Sequence, residues 1–349
     1  MSETTRRVSI AERAAAPQVL SLPAADLGLV WRPMGPEDSA QLAVLVAAIE
    51  VADGAPYRTA PSEVADIFVG EWKDSSRDTV VGIDDDGVFR AYGTVETPPG
   101  DESVVRAFIA GGVHPDVRGA GVGRELLSWM TARARQKLAE SGKDVPGRIA
   151  AFLDDTAPDQ WHLFEAAGYT AARFYSNLRR DLATPTHDVV LDPGLQVLPW
   201  DPSLDDAARR AHNDAFRDHW GSEPATPDSW VQGRSMFAPA WSFVVVDTTK
   251  GSVAQPYVAG YLLSGRYEQD WPVTGRTSGY IETLGVRRGY RGRRIAVALL
   301  AAAMDAYRAS GMELAELDVD ADNPSGASGL YASLGFVKSS GSRMYSIEL

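Results

Sequence analysis

Two short stretches of the chain have the residue types and spacing to hold a diphosphate. In the first, an apolar run ends at Val113 and leads through Arg118-Gly119-Ala120-Gly121-Val122-Gly123 into a helical apolar pattern. In the second, a run through Leu284, Gly285 and Val286 leads through Arg291-Gly292-Arg293-Arg294-Ile295-Ala296 into another. A strand that turns through glycine into a helix leaves several backbone N–H groups without intrahelical acceptors, and with the helix dipole these form an anion site. Glycine lets the backbone come close to the phosphates. Spacing excludes two nucleotide-binding families. No Gly-x-x-x-x-Gly-Lys-Ser/Thr occurs, and glycines 119, 121 and 123 alternate where a dinucleotide fingerprint has its last glycine three residues after the second.

Charge points the same way. Arg287, Arg288, Arg291, Arg293 and Arg294 cluster in a chain with 34 Lys+Arg against 47 Asp+Glu, a formal charge of −13. A cationic cluster on an acidic background is the footing expected for a polyanionic ligand. The same acidity argues against nucleic acid or an anionic membrane as a partner. With no cysteine, disulfides, thiolate nucleophiles and Cys-based metal sites are excluded. The five histidines, His114, His162, His187, His212 and His219, show no ligand spacing, so no metal is expected. Asp318, Asp320 and Asp322 alternate like a calcium loop, but Asn323 and Gly329 stand where that loop needs glycine and glutamate.

The elements that must position these stretches occur twice. The two glycine loops are 173 residues apart, Leu163–Tyr169 matches Leu330–Phe336 at an offset of 167, and Gly28-Leu29-Val30 precedes Gly194-Leu195-Gln196 by 166. A near-constant offset over three landmarks is an internal duplication. With 349 residues, 44% of them hydrophobic, each copy has enough chain for its own core. We expect a loose arm over 1–25, a first domain over 26–182, a linker over 183–194 and a second domain over 195–349. In the first copy, periodicity and punctuation predict strands near 28–33, 78–84, 88–96, 103–113, 148–153 and 169–180. Helices are expected there near 37–52, 61–71, 121–141 and 158–167. The second copy reads as strands 195–199, 241–247, 256–266, 276–286, 313–319 and 336–348, with helices 203–217, 226–235, 293–310 and 324–334. The apolar run Ile295–Met304 is too short to span a bilayer and no signal-peptide pattern is read, so a cytoplasmic protein is expected.

The stretch from Val113 to Gly123 resembles motif A of the GNAT superfamily of N-acetyltransferases. The resemblance implies an α/β (α+β) fold: two tandem GNAT-like domains, each a mixed, mostly antiparallel sheet flanked by helices, with two strands splayed to admit pantetheine. It implies acetyl-CoA as co-substrate, its pyrophosphate on the glycine loop. In the second copy Arg294 stands where the family usually has its middle glycine. Asp320-Ala321-Asp322-Asn323-Pro324, Leu330-Tyr331 and Leu334-Gly335-Phe336 resemble the family's next element. By that resemblance Asn323 contacts the pantetheine region and Tyr331 sits beside the sulfur as general acid.

Glu282, two residues before Leu284, is the candidate general base, and backbone near Leu284 and Val286 should polarise the thioester carbonyl. The copies are unequal: Phe164 and Thr156 occupy the places of Tyr331 and Asn323. Catalysis is therefore expected in the second copy, with the first a degenerate half that is structural or holds acyl-CoA. The loop Tyr267–Pro272, with Trp220 and Trp241, is a candidate border for a cleft suited to a cationic amine, although tryptophan in such domains is more often a core residue. The tandem arrangement and length resemble those of mycothiol synthase, which acetylates a cysteinyl sugar amine. The expected reaction is direct attack of a small-molecule primary amine on acetyl-CoA by a monomer or homodimer. The rival reading is a non-catalytic acyl-CoA-binding or regulatory protein.

Overall fold

The computed structural model describes residues 8–24, 27–186, 189–252, 255–322 and 327–349. The first repeat runs α1 (Ile10–Ala14), β1 (Val30–Arg32), α2 (Ser39–Ala52), α3 (Pro61–Asp66), α4 (Ser75–Asp78), β2 (Thr79–Ile83), β3 (Phe89–Glu96), β4 (Val105–Val113), α5 (Val122–Glu140), β5 (Gly147–Asp154), α6 (Pro158–Ala166) and β6 (Thr170–Asp181). The second runs β7 (Leu195–Pro199), α7 (Asp205–Ala215), α8 (Pro227–Trp230), β8 (Phe243–Gly251), β9 (Pro256–Gly265), α9 (Trp271–Thr274), β10 (Ser278–Val286), α10 (Ile295–Ala309), β11 (Leu314–Asp320), α11 (Ala327–Ser333) and β12 (Val337–Glu348). Two expected helices are shorter than their apolar patterns. Those over 61–71 and 226–235 stop at Asp66 and Trp230, with left-handed glycines Gly70 (φ +130°) and Gly233 (φ +66°) just beyond.

The compact units do not follow chain order. The residues up to Ala55, with Val64–Arg173 and Arg343–Leu349, form the first unit; Pro56–Glu63 and Phe174–Ser342 form the second. This differs from the division expected at 183–194. Most of β6, the last strand of the first repeat, belongs to the second unit, and the end of β12 belongs to the first. Strand order is β1-β2-β3-β4-β5 and then the end of β12 in the first unit, and β6-β11-β10-β9-β8-β7 in the second. Only β4 with β5 and β10 with β11 run parallel among the registered pairs. β6 pairs with β11 from Leu314↔Asp181 to Asp320↔Tyr175.

Strand alternation places a core on each face of each sheet. In the first unit Val80 packs under α5 while its neighbour Val81 faces α2. In the second, Val245 and Leu262 join the α10 core while Val244, Val246 and Tyr261 join α7. Each unit is thus a mixed, mostly antiparallel sheet with helices on both faces, as expected. The arm expected over 1–25 is corrected for residues 8–24. Ser9 and Glu12 form a capping box that starts α1, and Ile10 is buried in the first core. Arg13 donates to Leu349 O and Val145 O, each at 2.7 Å. Among the described residues no helix is long and apolar enough to cross a membrane.

Candidate active site

In the second unit, β10 and β11 stay in register from Ser278↔Leu314 to Ile281↔Leu317 and then part, although β10 continues to Val286 and β11 to Asp320. On its other side β10 remains paired with β9 as far as Val286↔Gly260. Among the described residues the backbone of Thr283, Leu284, Gly285 and Val286 therefore has no registered strand partner on the β11 side, an arrangement suited to pairing with an extended ligand. This is the splay expected from the sequence. It places Leu284, Gly285 and Val286 along one wall.

Glu282 stands at the fork. The β9 register slips between Ile281 and Thr283, so Glu282 is the extra residue of a β-bulge, a device that re-aims a side chain. It is solvent-accessible, yet the surrounding protein is dense enough to desolvate it, as on the wall of a cleft. That desolvation lifts its carboxyl above the usual range; the Tyr267 hydroxyl, donating to Oε1, opposes the rise, and the charge of Asp318 adds to it. A Cβ at Gly265 would meet both Glu282 Oε1 and the Tyr267 ring, so any larger residue there would force these side chains to shift. Tyr280, two residues earlier on the same strand, packs edge-on to Tyr267 at 5.5 Å and hydrogen-bonds Asp318 of β11. Burial and these carboxylates push both phenols upward.

Tyr331 lies on α11 with its ring 5.7 Å from that of Phe336 in the α10-side core. Burial raises its phenol to about 12. Its hydroxyl has no hydrogen-bond partner among the described residues. Asn323 lies outside the described residues. Of the two readings of Trp241, cleft border or core, the structure shows the core: it is 3% exposed, donates to Ser310 Oγ at 2.9 Å and packs on Tyr307. The Tyr267–Pro272 loop contributes Tyr267.

The second glycine loop enters α10 with Gly292 at φ +78°, open space where a Cβ would be, and Arg294 at φ +61° as N-cap. The helix ladder begins with Ala298 N–H donating to Arg294 O at 3.0 Å, so the amides of Ile295, Ala296 and Val297 precede it. Ile295 is buried and anchors the turn. The arginine cluster is less free than its sequence suggests. Arg287 donates to Val258 O, Arg288 pairs with Asp218, Arg291 donates to Ala215 O and Arg293 pairs with Asp192. Arg294 is exposed at the mouth of the loop.

The first unit repeats the frame with different side chains at the corresponding places. β4 and β5 are in register only from Val105↔Gly147 to Phe108↔Ala150 and then part. Gly119 (φ +79°) and Gly121 (φ +95°) shape the turn from Val113 through Ala120, Val122 and Gly123 into α5. Arg118 is tied down, donating to Val113 O at 2.9 Å and pairing with Asp53. At the repeat offsets, Ala107, Ile109 and Ala151 take the places of Tyr280, Glu282 and Asp318. All three are buried and apolar. The β3–β4 register has no bulge. Phe164 occupies the niche of Tyr331, each 8% exposed.

A family model described as Acetyltransferase (GNAT) family matches residues 206–336. A mycothiol acetyltransferase of Streptomyces scabiei is 31% identical over 246 residues, which is 68% of this chain and 70% of that one. The chain belongs to the GNAT acetyltransferase family. A GCN5-related N-acetyltransferase structure from Sphaerobacter thermophilus superposes with a TM-score of 0.67 at 26% identity, covering 94% of this chain and 97% of that one. A tandem GNAT protein from the clavulanic acid biosynthesis pathway shares the fold, with a TM-score of 0.63 at 17% identity over 92% and 98% of the two chains.

Within this GNAT chain, sequence reasoning placed Tyr267 only as part of a cleft-bordering loop and missed Tyr280, Asp318 as a site residue, and Gly265. Asp318 was visible only as a rejected calcium pattern; its signal is the replacement of a buried alanine in one repeat by a carboxylate in the other. The Arg294 backbone makes its own prediction. A left-handed non-glycine residue costs about 1–2 kcal/mol, and the first repeat has Gly121 at the same place. Arg294→Gly is expected to raise stability by about 1 kcal/mol after the entropic cost of glycine, read as a higher denaturation midpoint. A lower midpoint would show that the arginine side chain contributes more than its backbone costs.

Proposed function

We propose that this acetyltransferase moves the acetyl group of acetyl-CoA to the primary amine of a small molecule, with catalysis in the second unit. One observation carries the assignment: Tyr280, Glu282, Asp318 and Tyr331 line or adjoin the splay of the second unit, where the first has alanine, isoleucine, alanine and phenylalanine. The family match over 206–336 supports the same half. Acetyl-CoA supplies an activated thioester. The amides at the start of α10, with the loop Arg291–Ala296, fit its diphosphate, and the unpaired backbone of Leu284–Val286 fits its pantetheine arm. Backbone N–H groups there hydrogen-bond the carbonyl oxygen as charge develops on it.

Glu282 takes the proton of the incoming ammonium. A carboxyl raised above its usual range is better matched to that task near neutral pH than an ordinary glutamate. The amine nitrogen then attacks the thioester carbon, the C–S bond breaks, and Tyr331 supplies a proton to the departing sulfur. With two carboxylates and two phenols at the fork, the acceptor is a cationic amine. The similarity to a mycothiol acetyltransferase makes a cysteinyl sugar amine the first acceptor to test. Val113 and Arg118–Gly123 retain the geometry to hold a diphosphate in the first unit without the groups for turnover.

The test is thiol release from acetyl-CoA across a panel of primary amines that includes a cysteinyl sugar amine. Tyr331→Phe is expected to lower kcat by about 10²-fold or more with the melting temperature retained, because Phe164 fills the equivalent niche. Tight acetyl-CoA binding with no turnover on any amine would favour the non-catalytic binder instead.

A further inference from the structure

We propose that Glu63, supplied by the first repeat, is a positioning residue of the second unit's site, holding the turn after β9 so that Tyr267 stays bonded to Glu282. The segment Pro56–Glu63 follows α2 and opens α3, yet it is part of the second unit. It grips the turn in two places. The Arg58 backbone N–H donates to Asp270 Oδ1 at 2.7 Å, and Gln269 Nε2 donates to Glu63 Oε2 at 2.9 Å. The Ala60 backbone N–H donates to the same Glu63 oxygen at 2.8 Å, so the carboxylate that holds Gln269 is itself fixed to its own segment. Gln269 Nε2 also lies 3.8 Å from Met236 Sδ. Both neighbours of that nitrogen are acceptors, which settles the orientation of the amide.

Gln269 and Asp270 lie two and three residues beyond Tyr267, in a single 3₁₀ turn over Glu268–Asp270. The Asp270 N–H donates to Tyr267 O at 3.1 Å and closes that turn. At its other end the Arg266 N–H donates to Met236 O at 2.9 Å. Glu268 is exposed and its two successors are half-buried, so the turn has little core of its own and depends on these polar anchors. What Glu63 fixes at Gln269 therefore reaches Tyr267 within one turn of chain. The Tyr267 hydroxyl donates to Glu282 Oε1, and its ring packs edge-on to Tyr280 at 5.5 Å. A bond of this kind serves a reacting group only when it is held to within about 0.5 Å. With Oε1 committed to Tyr267, Oε2 is the oxygen that takes the proton. Facing Glu282 besides Tyr267 are Tyr280 from its own strand, Asp318 from β11 and Tyr307 from α10, while Glu63 and Asp270 face Tyr267. The first repeat thus reaches the second unit's base through one turn.

This rests on the reading of Glu282 as the base only for its consequence in turnover; the contact itself is read without substrate. The experiment is fluorine NMR on the full chain with 3-fluorotyrosine at residue 267 alone. The part of its pH-dependent shift that disappears in Glu282→Gln reports the bond between the two side chains. Glu63→Ala is expected to reduce that part by about half or more. Glu63→Gln keeps an acceptor oxygen for both N–H donors and is expected to retain it, which separates the hydrogen bonds from the charge. Gln269→Ala is expected to give the same loss, with nothing added by Glu63→Ala, and it replaces Glu63→Ala if that variant does not fold. In thiol release Glu63→Ala should lower kcat about 10-fold or more with the KM for acetyl-CoA unchanged. A Glu282-dependent shift that is absent from the unsubstituted protein, unchanged in Glu63→Ala and Gln269→Ala, or lost equally in Glu63→Gln would overturn the proposal. Failure of Glu282→Gln to reduce thiol release would instead overturn the catalytic reading and leave the hold of Glu63 on Tyr267 standing.

Discussion

Glu282→Gln is expected to lower kcat/KM by about 10²- to 10⁴-fold, the usual contribution of a positioned general base. The substitution keeps the shape of the side chain and its contact with Tyr267 while removing the group that takes the proton. In the unsubstituted protein, kcat/KM should rise with pH through a midpoint above the ordinary carboxylate range, because desolvation by the surrounding protein raises the Glu282 carboxyl. That limb should vanish from the residual activity of the variant. Stability should move the other way. A carboxyl whose folded-state pKa is raised favours the fold below its unfolded value, and that contribution is lost as pH rises through the folded value. Near pH 8 the Gln variant should therefore melt at the same temperature or higher. A large drop in melting temperature together with the loss of activity would assign Glu282 to the scaffold.

A fragment covering 195–349, the second repeat by sequence, is expected not to fold cooperatively. It lacks β6, which pairs with β11 along its whole length. Leu314, Ala315, Leu317 and Val319 of β11 are all buried, and without β6 the strand becomes an open apolar edge. The fragment also carries the end of β12 without its partner: in the first unit Gly147 and Leu349 exchange backbone hydrogen bonds of 2.9 and 2.8 Å. Circular dichroism should show a broad, non-cooperative melt, and extending the fragment back to residue 174 should improve it by restoring β6. A sharp melt of 195–349 would show that β11 does not need β6.

Legibility varied with the range of the interactions. The duplication, the glycine turns at 119, 121 and 292, and the strands expected at 88–96 and 276–286 all depend on local pattern, and local pattern is in the chain. The overestimated helices at 61–71 and 226–235 carried helical apolar spacing but end at Asp66 and Trp230, before the positive-φ glycines Gly70 and Gly233 that break the predicted span. The arm over residues 8–24 looked loose because its periodicity is weak. What orders it is the capping box of Ser9 and Glu12 and the reach of Arg13 to a carbonyl at the far end of the chain. Trp241 could be read by type as cleft or core, and its indole N–H meets Ser310, a partner that spacing does not reveal.

The sequence by itself determined the family of the fold, the existence of two repeats and their inequality, since Phe164 against Tyr331 and Ile109 against Glu282 can be read without coordinates. Only the tertiary structure decided which strand completes which sheet. It also decided that Glu282 is the bulged residue at the fork, and that Tyr267 meets it from a turn gripped by a segment of the other repeat. The reason is physical. Turns and helix starts are set by backbone preferences a few residues long, whereas the surroundings of a carboxylate are groups brought close from β10, β11, α10 and the turn after β9. Residues 63 and 269 become neighbours only when the segment that opens α3 reaches that turn, and no periodicity along the chain encodes that distance.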